Sequence, residues 1–484
     1  MRYIKRFIFI FLFCTLCLAG IAEEAENELS LGACIIFAAQ NSFEVKLARL
    51  DFLVAETGQG IAESIFDTSL SLGVGYSKDT REALSSFAAS KTTTNTYSAE
   101  AEKKLPTGTE VNLSFSNTRE SSNSAFVSSN PAHSAEAALE IRQPLAKNAF
   151  GYVDRRSITL TSLAIENSDL DRQERIEVLF ADVEDAYWEW VFSRKAMRIY
   201  NEILEKARNL HESNTRNYDI GIIEKGDFLA SGANVLIREK DLLLAENAYR
   251  SDEEQIKLLM NLDAASRIHP SEILTYREIE VELGDCLRKA FLKRRDYQQA
   301  KTDIEIENIT LETKANERWP EIDLTASMVA NGIDPKFSSA VKRIGTENNA
   351  DYSAGVEISI PLENNLARSE FEKAKANKEK AILTMKKLER SIVTEVGDAF
   401  RDYIMRQANV DKLLKAAQLQ EAKLKEEEKR FKFGRSNTKR LIDYQQDYLN
   451  AQLDLARSML ELKKSKVDLE ESLNVILEKY EALL

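Results

Sequence analysis

Apolar residues recur every seven positions in the last part of the chain, which is the pattern of a coiled-coil helix. They are Leu441, Tyr448, Leu455, Leu462, Leu469 and Ile476. The first half carries a matching series of Phe228, Val235, Leu242, Tyr249 and Ile256. Segments 155–215 and 366–430 contain no proline and are also predicted to be helical. A helix of about 60 residues is about 90 Å long, which exceeds the needs of a compact core and suits a span across a periplasm.

Short segments between the predicted helices alternate apolar and polar residues, as half-exposed strands do. These segments lie at about 68–78, 134–143, 321–331 and 351–361. In the first of them, Leu70, Leu72 and Val74 share one face, and Ser71 and Gly73 share the other. Such strands fit either a soluble sheet or a membrane barrel that is apolar towards lipid and polar towards water. The flanking helices cannot cover these faces, which favours the barrel.

A membrane barrel could not be closed by one chain with so few strands. Open sheet edges are not tolerated in lipid, so several copies must share one barrel. Residues 95–117, inside an extra segment between about 78 and 134, are predicted to form a β-hairpin. This hairpin either lengthens the outer loops or adds strands to the barrel, and the sequence does not decide between the two.

The two halves of the chain resemble each other. A shift of 252 residues aligns Leu31-Gly32-x-Cys34 with Leu283-Gly284-x-Cys286. A shift of 213 aligns Val183-x-Asp185-Ala186-Tyr187 with Val396-x-Asp398-Ala399-Phe400. We interpret this as an internal duplication, with one repeat over 23–268 and the other over 269–484. Each repeat consists of a helix, strands and a long helix pair, and the pairs turn at 216–227 and 430–441.

The N-terminal residues 1–22 have the features of a secretory signal peptide. Arg2, Lys5 and Arg6 form a basic start, and an apolar run follows over 7–18. That run is shorter than the roughly 20 residues of a membrane span, and no later apolar run is long enough to cross a bilayer as a helix. The mature chain is therefore expected to be exported.

The acidic charge and the residue content exclude several function classes. Removing three basic residues with the signal takes the net charge from −13 to −16, which argues against nucleic acid as a partner. Cys34 and Cys286 are isolated and form neither a disulfide framework nor a metal site, and their redox state stays open. No phosphate loop, zinc pattern or nucleophile motif is present. We predict no enzyme activity, no cofactor and no metal.

Both turns between long helices carry an aromatic residue, two variable residues and a glycine. They read Tyr218-Asp219-Ile220-Gly221 and Phe431-Lys432-Phe433-Gly434. Arg142-Gln143-Pro144-Leu145 and Ile360-Pro361-Leu362 follow predicted strands, and Trp319-Pro320 precedes one. With the duplication, these motifs make the mature chain resemble the TolC family of outer-membrane efflux proteins, the outer membrane factors.

The resemblance implies a mixed α and β membrane protein that forms a homotrimer. Three chains would build a transmembrane β-barrel of twelve strands in outer-membrane lipid and an α-barrel tunnel in the periplasm. The duct would be a passive conduit of a tripartite efflux pump or type I secretion system. A periplasmic adaptor (membrane fusion protein) and an inner-membrane pump of RND, ABC or MFS type would open it. Adaptor docking is expected at Tyr218, Gly221, Phe431 and Gly434, and the cargo is not determined.

The resemblance also implies a gate near the turns, where the family pairs an aromatic residue and an arginine with aspartates. Asp227 and Asp443 match the aspartates, and Phe431 replaces the usual tyrosine. Ser436 stands at the position of the arginine, and Arg440 at that of a further aspartate. We hypothesise that Arg440 pairs with Asp227 or Asp443 across neighbouring helices. The alternative is that Arg440 is an ordinary solvated charge.

Two other functions compete with the duct. A periplasmic coiled-coil tether would share the helices but lack a membrane barrel, and it would be recovered as a soluble periplasmic protein. The periplasmic adaptor itself has a single helical hairpin between two half lipoyl domains, which the duplicated strand pattern does not match.

Overall fold

The structure is a computed structural model that describes residues 27–81, 89–124, 127, 129–278, 280–346 and 349–481. The predicted signal peptide lies outside the described residues. The helices are α1 (Leu31–Asn41), α2 (Phe43–Glu63), α3 (Tyr152–Asp219), α4 (Lys225–Met260), α5 (Leu283–Lys293), α6 (Arg295–Asn316), α7 (Phe337–Thr346), α8 (Asn365–Lys432), α9 (Thr438–Ser472) and α10 (Ile476–Glu481). The strands are β1 (Asn27–Leu29), β2 (Thr68–Asp79), β3 (Thr92–Lys104), β4 (Glu110–Ser122), β5 (Ala132–Pro144), β6 (Ile268–Pro270), β7 (Glu321–Asp334) and β8 (Ala350–Ser359).

The long helices follow from the proline-free segments and their apolar periodicity. Helices α3 and α8 each contain 68 residues, and α4 and α9 contain 36 and 35. No described helix is long and apolar enough to cross a membrane. The fold class predicted from the sequence, long helices combined with an antiparallel sheet, is confirmed at this level. The internal duplication stays a prediction.

The chain divides into two compact units, and each unit combines segments from both sequence halves. One consists of the described residues of Met1–Lys46, Arg175–Lys293 and Thr394–Leu484, and we call it the helical unit. The other consists of the described residues of Leu47–Glu174 and Arg294–Val393, and we call it the sheet unit. The spatial division therefore does not follow the predicted repeats, since each unit takes segments from both of them.

The sheet unit contains a six-stranded antiparallel sheet in the order β2-β3-β4-β5-β7-β8. The predicted alternating segments lie within or overlap β2, β5, β7 and β8. The predicted hairpin forms β3 and β4, so the extra segment adds two strands to the sheet. Helices α2 and α6 lead into β2 and β7, and β5 and β8 lead into α3 and α8. All four junctions therefore lie at the same end of the strands. We call this end of the sheet the helix edge, as distinct from its two outer strands.

The strand register separates apolar from polar side chains over the middle of the sheet. One row of paired residues consists of Leu70, Ala101, Leu113, Leu139, Met328 and Tyr352. The next row, on the opposite face, consists of Ser69, Glu102, Asn112, Glu140, Ser327 and Ser353. Because side chains of a strand alternate between faces, the sheet has one apolar face and one polar face.

Helix α7 covers part of the apolar face at the end of the sheet opposite the helix edge. The buried residues Ala135 and Ala330 lie there, beside the buried Ala340 of the helix. A Cβ atom at Gly332 would come within 2.2 Å of the Ala340 carbonyl oxygen, so only glycine permits this close approach. Most of the apolar face nearer the helix edge remains exposed, including the large side chains of β2 and β8.

The helical unit has a packed core in which aromatic residues of α3 are central. Trp190 and Tyr187 are fully buried, and the Trp190 ring stacks on Tyr249 of α4 with ring centroids 6.2 Å apart. The Tyr187 hydroxyl donates to the Leu29 carbonyl oxygen at 3.0 Å. That bond holds β1, which pairs in parallel with β6.

Asp185 of α3 is a partly buried carboxyl in this unit, and burial raises its pKa to about 7. Lys464 opposes the shift, whereas Asp468 and Glu184 add to it. Because the folded-state pKa lies above the unfolded value, stability from this group is fully present below about pH 4 and is lost as the pH rises towards 7. Asp185→Asn is therefore expected to stabilise the protein at pH 7.5 by about 1 kcal/mol, allowing for partial solvent screening.

The test is a comparison of urea unfolding at pH 5 and pH 7.5. Asp219→Asn, at an exposed position of the same helix, serves as the control. Asp185→Asn should weaken the dependence of unfolding on pH, and Asp219→Asn should not. An unchanged pH dependence in Asp185→Asn would contradict the assignment.

Candidate docking and gating site at the two helix turns

Two tight turns of the helical unit join α3 to α4 and α8 to α9. Gly221 and Gly434 have φ angles of 71° and 69°. At the first turn, the Ile222 amide donates to the Asn217 carbonyl at 2.8 Å, and at the second, the Arg435 amide donates to the Arg430 carbonyl at 2.9 Å. These bonds satisfy carbonyls at the helix ends, and glycine adopts the left-handed conformation without a steric penalty. Both turns are therefore built in the same way.

The aromatic residue of the first turn, Tyr218, stacks on Phe228 of α4 with ring centroids 5.1 Å apart. Phe228 in turn lies 5.3 Å from the ring of His211. The His211 Nδ1 atom is hydrogen-bonded to the Ser231 hydroxyl at 2.9 Å. The Tyr218 ring therefore fastens α3 to α4 next to the turn.

The aromatic residue of the second turn, Phe431, packs inwards. It lies against a buried cluster of Ile199, Ile203, Leu210, Leu424, Leu441, Tyr448, Leu449 and Ala456. Its neighbour Phe433 points outwards and is 80% exposed. At the first turn, Ile220 and Ile222 are exposed in the same way. The turns thus present apolar side chains to the outside, and these three residues are not among the docking residues predicted from the sequence.

The sequence does contain a signal for these exposed residues. An apolar side chain beside a turn glycine lies beyond the end of the helix and cannot pack between helices. The docking residues predicted from the sequence are instead the aromatic residue and the glycine of each motif. Tyr218 is 37% exposed, and Phe431 is half-buried. Phe433, Ile220 and Ile222 are therefore better placed than Phe431 for a docking contact.

A buried polar contact ties the two turns together. The fully buried Asn214 of α3 donates to the Thr438 hydroxyl at 3.1 Å and, more weakly, to the Asp227 carbonyl at 3.4 Å. Thr438 is the first residue of α9, and Asp227 lies in the first turn of α4. One side chain thus joins three helices. No local sequence pattern indicates this contact, because Asn214 and its partner Thr438 are 224 residues apart.

Asn214→Ala should destabilise the protein by about 1–3 kcal/mol, because it leaves buried polar partners without their hydrogen bond. Asn209→Ala, the same change at an exposed position of α3, should have little effect. Chemical unfolding of the two variants in detergent measures the difference. Equal stability of the two would show that the Asn214 contact does not hold the turns together.

The predicted gate residues lie near these turns but are not all brought together within one chain. Ser436 donates to the buried Glu427 carboxylate. The Arg440 amide donates to the Asn437 side chain at 2.8 Å, which caps α9, while the Arg440 side chain is exposed. Asp443 is also exposed, and Asp227 is partly exposed. Within the described residues, Arg440 makes no ion pair with Asp227 or Asp443, so their pairing stays a prediction.

Charged and polar pairs connect the long helices above the turns. Lys206 pairs with Glu428 at 3.2 Å, and Lys423 pairs with Asp447 at 2.6 Å. The Tyr448 hydroxyl donates to Glu202 at 3.4 Å. Burial, followed by the nearby Glu202 carboxylate, raises the pKa of Tyr448 to about 12.

In the described part of the chain no group of His, Cys, Asp and Glu could hold a metal ion.

Comparison with solved structures shows the same fold in several outer-membrane channels. Campylobacter jejuni CmeC is 14% identical, with a TM-score of 0.68 over 94% of this chain and 90% of that one. VceC of Vibrio cholerae is 16% identical, with a TM-score of 0.67 over 92% and 95%. The open state of Neisseria gonorrhoeae MtrE is 15% identical, with a TM-score of 0.66 over 92% and 88%. No match was found among curated protein sequences.

The sequence itself matches one family. The profile of the family described as Outer membrane efflux protein matches residues 93–262 and 286–475, which is most of the chain. The two matched segments contain both turn motifs and both pairs of long helices. The match agrees with the resemblance to TolC-type proteins that the turn motifs indicated. The chain belongs to the outer membrane efflux protein family.

Proposed function

We propose that three copies of this outer-membrane protein form the exit duct of a tripartite efflux or type I secretion machine. The observation that carries this proposal is the six-stranded sheet, which has an exposed apolar face, a polar face and two edge strands that pair on one side only within the described residues. The duct is a passive conduit, and its selectivity for cargo resides in the pump to which it connects.

The apolar face supports a position in lipid. Leu72 and Val74 of β2 are 75% and 83% exposed, and Tyr352, Val356 and Ile358 of β8 are exposed as well. An apolar surface of this extent marks a lipid or protein contact, because soluble monomers rarely expose one. The opposite, polar face suits a water-filled lumen.

The sheet edges support association of several copies. Among the described residues, β2 and β8 pair with a neighbour on one side only. Each edge therefore exposes backbone N–H and C=O groups that must be hydrogen-bonded inside a bilayer. Pairing β8 of one copy with β2 of the next satisfies both edges in a closed ring. The number of three copies rests on the family resemblance.

The polar face supports a mild preference for cations. Its carboxylates are Asp79, Glu100, Glu102, Glu110, Glu120, Glu136, Glu140, Glu321, Asp323, Asp351 and Glu357, and its basic residues are Lys104 and Arg142. Arg142 is neutralised by Asp323 at 2.5 Å. The lumen is therefore acidic. The class of cargo is nevertheless determined by the pump and not by this charge.

The exposed apolar residues at the helix turns support docking of a periplasmic adaptor. Phe433, Ile220 and Ile222 are exposed and lie next to the turn glycines Gly221 and Gly434, where the hydrogen-bonded turns bring the chain back on itself. An adaptor that covers them removes apolar surface from water. The inner-membrane pump acts through this contact to open the duct.

The experiment that tests the duct is reconstitution of the purified mature protein into planar bilayers. We expect discrete conductance steps with a small preference for potassium over chloride. A folded, membrane-inserted protein that conducts no ions, even after its turns are loosened by substitution, would contradict the proposal. Deleting the gene in its host and measuring export of a panel of dyes, metals and proteins then identifies the cargo.

Replacing Arg440 with glutamine is expected to increase the conductance of the reconstituted duct. Arg440 lies in the first turn of α9, where a helix disfavours positive charge, and that turn contains no acidic residue. An aspartate from a neighbouring helix would be a favourable partner, worth about 1 kcal/mol as a partly exposed pair. Lys415→Gln, exposed on α8, is the control. Unchanged conductance in Arg440→Gln would show that this arginine is a solvated charge outside the gate.

A further inference from the structure

We infer that the wall of the assembled duct contains eighteen β-strands, six from each copy, in place of the twelve expected from the family resemblance. This inference rests on the proposed function, because it assumes a closed trimer in a membrane. It concerns the hairpin formed by β3 and β4, which the structure places inside the sheet.

The hairpin is a full member of the sheet. Strand β3 pairs with β2 over 12 residue pairs and with β4 over 13 pairs, and β4 pairs with β5 over 11 pairs. Strands β3, β4 and β5 each contain 13 residues. No strand of the hairpin can leave the sheet without breaking one of these ladders. Its removal would also require β2 and β5 to pair directly.

The hairpin also carries the side-chain pattern of a membrane wall. Tyr97, Ala99 and Ala101 of β3 continue the apolar face, as do Leu113 and Phe115 of β4. Leu113 is exposed, as are the apolar residues of β2 and β8. A soluble appendage outside the bilayer would have no reason to keep this alternation in register with its neighbours.

The turn of the hairpin is anchored at the helix edge. Lys104 pairs with Asp154 at 2.8 Å, and the Arg155 side chain donates to the Pro106 carbonyl at 2.9 Å. A Cβ atom at Gly108 would lie 2.6 Å from the Gly151 amide, so turn and helix start are in close contact. The hairpin is therefore fixed to the same helix, α3, that follows β5.

The strand directions permit closure. Strand β2 starts at the helix edge and β8 ends there, so β8 of one copy lies antiparallel to β2 of the next. An even number of strands per copy preserves this alternation around the ring. Since barrel diameter grows roughly linearly with strand number, the wall should be about 1.5 times as wide as one of twelve strands.

The test uses neighbouring single cysteines in β4, Leu113→Cys and Ser114→Cys, in a background where Cys34 and Cys286 are alanine. For the trimer in liposomes, a membrane-impermeant maleimide should label Ser114→Cys and fail to label Leu113→Cys. The pair Leu72→Cys and Ser71→Cys in β2 is the matched control. Electron microscopy of the same trimer should show an eighteen-stranded cross-section.

Equal labelling of both β4 cysteines in a trimer whose β2 pair behaves as expected would overturn the inference. A cross-section of twelve strands would do the same. Either result would leave the duct itself intact. Loss of the face preference in β2, or absence of a trimer, would instead refute the proposed function on which the inference depends.

Discussion

Leu72→Arg should prevent stable insertion of the protein into the outer membrane, whereas Ser71→Arg should be tolerated. Both side chains are exposed in the single chain, so a soluble sheet would accept arginine at either position. In a membrane wall, Leu72 faces lipid and Ser71 faces the lumen. Arginine near the bilayer midplane of a barrel costs about 2–4 kcal/mol. A trimer would bear this cost three times.

The measurement is the amount of each variant in the outer-membrane fraction, together with its migration as an unheated oligomer. Leu72→Arg should be depleted by more than about tenfold, given roughly 1.4 kcal/mol per factor of ten. Leu72→Phe keeps the apolar character and should insert normally. Comparable recovery of Leu72→Arg and Ser71→Arg would mean that the apolar face does not contact lipid.

Trp190→Ala should destabilise the helical unit by about 3–5 kcal/mol, the range seen when a large buried aromatic side chain is truncated. Trp190 is 0% exposed and contacts the rings of Tyr249 and Tyr187. Its indole N–H has no hydrogen-bond partner within the described residues. The lost stability should therefore come from packing and not from a broken polar contact.

Trp190→Phe separates these two contributions, since it keeps an aromatic ring and removes the indole N–H. Its loss should be well below that of Trp190→Ala. Urea unfolding followed by circular dichroism, with both variants in the same detergent, gives the comparison. A loss for the phenylalanine variant as large as that for the alanine variant would show that the indole N–H makes a bond that this structure lacks.

The helices and strands were readable because their periodicities are local. The heptads of 441–476 lie within α9 and α10, and the alternation of 70–76 lies within β2. The hairpin was readable too, since Pro106-Thr107-Gly108-Thr109 separates two alternating runs. The position of the hairpin within the sheet could not be predicted, because strand order depends on which strands pair with each other. That order changes the expected strand count from four to six per chain.

The site was only partly readable for a related reason. The turn glycines Gly221 and Gly434 can be recognised from their motif, and both have left-handed backbone conformations in the structure. The contact of Asn214 with Thr438 connects distant parts of the chain and leaves no local pattern. The partners of Arg440 are not fixed by one chain, since they are proposed to lie on neighbouring helices.

The central claim is that identical copies seal their exposed apolar faces in lipid, and the native mass of the mature protein tests it most directly. The protein should be extracted from the outer-membrane fraction only with detergent, and light scattering corrected for bound detergent should give three times the mass of one chain. A homogeneous monomer that stays soluble in buffer without detergent would contradict the account and would favour a periplasmic tether.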